Sequence, residues 1–72
     1  MDSPSYYEIR IAGELPDHWS SWLAGLAIQA LPDGETTLCG FLPDQAALIG
    51  VLVKLHNLNI TLLSVCNKPS QD

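Results

Sequence analysis

Positive charge is scarce in this chain. Arg10, Lys54 and Lys68 are the only Lys or Arg among 72 residues, against eight Asp and Glu, for a formal net charge of −5. Phosphate binding needs clustered Lys and Arg, and three scattered ones argue against a nucleic-acid surface. They argue equally against attraction to an anionic membrane. Long apolar runs are missing too, since no stretch approaches the roughly 20 residues of a membrane span. Cysteine is limited to Cys39 and Cys66. Two are too few for a disulfide framework and suit a reducing compartment. The start, MDSPSYYEIR, is acidic and has no apolar signal core. The expectation is a soluble cytoplasmic protein with no nucleic-acid and no membrane partner.

Charged residues make up only 15% and hydrophobic ones 47%. That is too apolar for a disordered chain and poorly charged for the surface of a small monomer. A domain of this size buries only about 60% of the surface its unfolded chain exposes. Self-association is one remedy. The composition therefore predicts surface hidden in an oligomer, with a homodimer as the default and an unidentified protein partner as the other option.

Tyr6 to Ala12 alternates, with Tyr7, Ile9 and Ile11 on one face and Tyr6, Glu8 and Arg10 on the other. Period two predicts a half-buried strand, ended by Gly13. Pro16 suits the first turn of a helix. Trp19, Trp22, Leu23 and Leu26 then fall at helical spacing, so a short first helix is predicted, with both tryptophans in the core. Leu26–Leu31 and Thr36–Leu42 read as two strands joined by a Pro32-Asp33-Gly34 turn. Asp44 is a good N-cap for a second helix, whose core stripe is Leu48, Val51, Leu52, Leu55 and Leu58. Ile60–Cys66 reads as a buried last strand. The order β-α-β-β-α-β predicts an α+β fold, the ferredoxin-like split βαβ sandwich. Its four antiparallel strands run 4-1-3-2 in space, with two helices on one face. One domain over residues 6–66 is expected, between flexible tails at 1–5 and 67–72.

The segments WSSWLAGLAI and DGETTLCGFLPDQAALIGVLVKLHNLNITLLSV resemble a family of short uncharacterised bacterial proteins with a D-Q-A-A-L-x-G helix motif. The resemblance spans about residues 6–66. It implies the fold and carries no activity. A second, architectural resemblance is to ACT domains, amino-acid-sensing modules with a D-x-P-G-x-L loop-to-helix motif. Asp44, Ala46, Ala47 and Ile49 stand at those places, so Ala46 and Ala47 replace the Pro and Gly. This resemblance implies an alternative function, a small-ligand sensor whose loop is Asp44, Gln45, Ala46 and Ala47 at a subunit interface.

The candidate chemistry is thin. His18, Cys39, His56 and Cys66 lack the closely spaced pairs of a zinc site, so no metal is expected. A cysteine nucleophile needs a neighbouring base, and neither histidine has a carboxylate to orient it. No pattern requires a cofactor, and the expectation is not an enzyme. Two surfaces stand out instead. Tyr6, Arg10, Leu31, Cys39 and Phe41 should line the open face of the sheet. Ile49 and Val53 should form a second apolar stripe on the second helix, outside its core stripe. These seven residues are the candidate interface of a small homo-oligomeric interaction or regulatory module.

Overall fold

A computed structural model describes residues 5–68. The elements are β1 (Ser5–Ala12), a single 3-10 turn at Asp17–Trp19, β2 (Ala27–Ala30), β3 (Glu35–Leu42), α1 (Gln45–Asn57) and β4 (Leu62–Lys68). The strands form one antiparallel sheet in the order β2-β3-β1-β4. Read from the other edge this is 4-1-3-2, the expected order. Ser5, Asn67 and Lys68 lie in strands, so the domain reaches slightly past 6–66 at both ends. The remaining tail residues, 1–4 and 69–72, lie outside the described residues.

The fold is α+β, but only one α-helix is present among the described residues. The first of the two predicted helices is a correction. After Pro16 the chain makes one 3-10 turn with no side-chain cap. It then continues through hydrogen-bonded turns, Leu23 N–H to the Trp19 and Ser20 carbonyls and Gly25 N–H to the Ser20 carbonyl. Nucleating a helix fixes several residues for one bond, and His18, Trp19, Ser20 and Ser21 are indifferent helix formers. The Ser20 hydroxyl donates instead to the Leu26 carbonyl at 2.7 Å. Ala24 and Gly25 both take positive φ, which turns the chain into β2. The helical spacing is nonetheless right for three of its four side chains and wrong for Trp22, which was expected in the core. Leu23 and Leu26 are buried and Trp19 packs against the core, while Trp22 is exposed.

The rest of the frame follows local chemistry. Gly34 at φ 91 makes the hairpin turn, and Glu35 N–H donates to Asp33 Oδ1 at 3.1 Å. Asp44 caps α1, its Oδ1 accepting from Ala47 N–H at 2.8 Å. At the other end Asn59 stands at φ 61. Its N–H reaches the His56 carbonyl and Ile60 N–H reaches the Leu55 carbonyl, the double bond pattern of a Schellman stop.

The core lies between one sheet face and a layer made of α1 and the crossover from β1 to β2. Ile9, Ile11, Leu38 and Leu42 come from the sheet, Val51 and Leu55 from α1, and Leu23 and Leu26 from the crossover. Each fully buried side chain of this kind is worth about 1.5–3 kcal/mol. Thr36 is also fully buried, and its hydroxyl donates to the Gly13 carbonyl at 2.6 Å. The crossover rests over β2 and α1 over β3. Lys54 ties them together, its Nζ donating to the Trp22 carbonyl at 2.7 Å and lying 5.2 Å from the Trp22 ring centre.

Candidate functional site

The open face of the sheet follows from the register. Tyr6 opposes Phe41, Glu8 opposes Cys39 and Arg10 opposes Thr37. Ala27 and Gln29 flank them from β2, with Ser64, Cys66 and Lys68 on β4. Phe41 is 59% exposed and meets Tyr6 edge-on, ring centres 5.1 Å apart. The charges are paired along the sheet: Lys68 Nζ stands 2.7 Å from Glu8 Oε1, and Arg10 Nε stands 3.5 Å from Glu35 Oε1. The Lys68 hydrogen bond, and then its charge, hold the Glu8 carboxyl below the usual carboxylate range. The same contact holds Lys68 above the usual amine range. Tyr6 titrates above an ordinary phenol, chiefly because the Cys39 side chain favours its protonated form.

Cys39 and Cys66 lie in one row on either side of Glu8. Two strand spacings separate them by about 10 Å, beyond the reach of a disulfide, and both are free thiols. His18 stacks on Trp19 with ring centres 5.5 Å apart, and His56 is exposed on α1. Both histidines belong to the layer on the other side of the sheet from the thiols. Among the described residues no three of His, Cys, Asp and Glu cluster as metal ligands would. No helix of those residues is long and apolar enough to cross a membrane.

The seven candidate interface residues do not form one patch. Tyr6, Arg10, Cys39 and Phe41 share the open face. Leu31 sits at the hairpin mouth, its N–H bonded to the Glu35 carbonyl. Ile49 and Val53 are exposed on the outer side of α1, behind the sheet. In the alternative ligand loop, the Asp44 carboxylate is committed to Ala47 N–H. Gln45 and Ala46 face solvent, while Ala47 packs on the core.

A family model, described as a domain of unknown function (DUF8691), matches residues 6–66. The chain belongs to this family. No curated protein and no solved structure matches it.

The largest departure in this DUF8691 domain concerns β4, expected to be buried. Every one of its residues is exposed. Leu62 opposes Ile11 and Val65 opposes Ile9, so both point to the helix side. Period two would place positions three apart on opposite faces. A register shift opposite Arg10 and Ile11 absorbs the extra residue, Leu63, and restores them to one side. Ile9 and Ile11 are 0% exposed, yet Leu62 is 45% and Val65 38% exposed. The covering layer stops between β1 and β4. Leu62, Leu63 and Val65 were absent from the residues singled out in the sequence, because a strand at the end of an apolar run reads as core. The adjacent pair Leu62-Leu63, which breaks alternation, was the available signal.

Proposed function

We propose that this DUF8691 domain is a small non-enzymatic protein that self-associates, a homodimeric interaction or regulatory module working in the cytoplasm. One observation carries the reading: the helix-side residues Leu62 and Val65 of the fourth strand stay 45% and 38% exposed, where Ile11 and Ile9 beside them are fully buried. Ile49 and Val53 on α1 add to the uncovered apolar surface. In so small a domain that area is costly to leave in water. The separation of thiols and histidines onto opposite sides of the sheet supports the non-enzymatic part, since a cysteine nucleophile needs its base within hydrogen-bond reach. Two free cysteines suit a reducing compartment. Light scattering on the eluting protein is the test. The expected mass is about twice the 7.8 kDa of one chain, and a monomer persisting at millimolar concentration overturns the proposal.

A further inference from the structure

We propose that the partner is a second copy that docks along β4, its own β4 pairing antiparallel to the first across a two-fold axis. The two four-stranded sheets then become one sheet of twice the width. This rests on the self-association proposed above and names its surface.

The edge strands are unequal. β2, at one edge, is four residues long, a short strand that offers little to pair with. β4, at the other edge, is seven residues long, LLSVCNK, without proline or glycine. Its regular part, Ser64–Lys68, follows the register shift. Among the described residues no strand pairs with its outer side, and such an edge is a template for another strand. Two identical strands related by a two-fold axis pair antiparallel, so β4 is complementary to itself.

The side chains fit the same occupant. Lys54 reaches Trp22 in the crossover, which lies over β2. At about 100° per residue, Leu52 lies on the opposite flank of α1, facing the β4 edge. Leu62 and Val65 point to the same side of the sheet from β4. A second copy brings an identical apolar ledge to this one and closes both.

Charge selects this side over the others. From Gln45 to Lys68 the chain has no Asp or Glu and holds two of its three basic residues. Two chains of net charge −5 meet with least opposition along β4, which has no Asp or Glu among its seven residues. The open face carries Glu8 and Glu35 instead. The size bounds the affinity. A seven-residue strand is about 23 Å long, and the smallest extent of the molecule is 20 Å. The projected footprint is roughly 460 Å². That is below the low end for a stable dimer, about 600 Å² per partner, so the expected dimer is a weak one.

Sedimentation equilibrium of the full chain from micromolar to millimolar concentration tests this, with Leu62→Lys beside Phe41→Lys. Leu62→Lys should weaken the dimer about thirtyfold or more, and Phe41→Lys should leave it unchanged. A dimer split by Phe41→Lys and indifferent to Leu62→Lys keeps self-association and overturns docking on β4. A wild-type monomer throughout removes both proposals. Should Leu62→Lys fail to fold, amide exchange of the wild type decides. The β4 amides that point away from β1 should exchange more slowly at high protein concentration, and exchange independent of concentration overturns the docking.

Discussion

Gly40 governs how closely the crossover approaches the sheet. It lies on the helix side of β3 at φ 155, and a Cβ there would stand 3.0 Å from Leu26 Cδ2. Leu26 is buried at the join of crossover and β2, so it has little room to give. A side chain at position 40 would also strain the backbone. Gly40→Ala should therefore destabilise the domain by about 1–3 kcal/mol, read as a lower urea midpoint with an unchanged slope. An equal midpoint would mean that Leu26 moves freely and that the crossover is loosely held. Gly40 reads in the sequence as one more residue of an alternating strand. The contact that makes it matter comes from Leu26, fourteen residues earlier, and no local pattern encodes it. Asp44 is the opposite case. Its capping bond to Ala47 spans three residues, which is why the sequence alone located it.

Elements specified by their own residues were legible. β1 follows from period two, the hairpin from Pro32-Asp33-Gly34, and α1 from its cap and stripe. The crossover and β4 were misread for different reasons. The crossover has helical spacing without helical propensity, and its burial is real while its helix is not. β4 has the composition of a core strand, but burial depends on how far α1 and the crossover extend, a property of the whole layer. The open face was legible in outline, because alternation on β1 and β3 assigns sides before any strand order is known. The free end of β4 carries its own prediction. Lys68 and Glu8 pin it to β1. Glu8 has its folded pKa lowered, so its contribution is complete above the unfolded carboxylate range, near 4.3, and is lost as pH falls through the folded value. Lys68 has its folded pKa raised, so its contribution is complete below about 10.4 and is lost as pH rises through the folded value. The pair should hold the strand end constant between roughly pH 5 and 10. The amide shifts of Cys66–Lys68 should move in acid in the wild type and stay flat in Glu8→Gln. Movement that survives in Glu8→Gln would assign the transition to another group.

At the scale of the whole molecule, the apolar surface and the charge oppose each other. Uncovered side chains of β4 favour association, while the net charge of −5 on each copy opposes it. The β4 edge itself carries Lys68, so even the docking surfaces repel weakly at long range. An association of this kind should tighten as salt rises. Raising ionic strength from about 0.01 M to 0.15 M shortens the Debye length from about 30 Å to 8 Å, less than the 20 Å smallest extent of the domain. Charges spread over two touching copies are then mostly screened, while burial of Leu62 and Val65 is untouched. The dissociation constant measured by sedimentation should fall severalfold across that range. Weakening with salt would require ion pairs across the contact. Those are available on the open face, where Glu8, Arg10, Glu35 and Lys68 could exchange partners, whereas Lys68 is the one charged side chain of β4 and the strand has no carboxylate of its own to pair across the contact. The sign of the salt dependence therefore separates the two surfaces without any substitution.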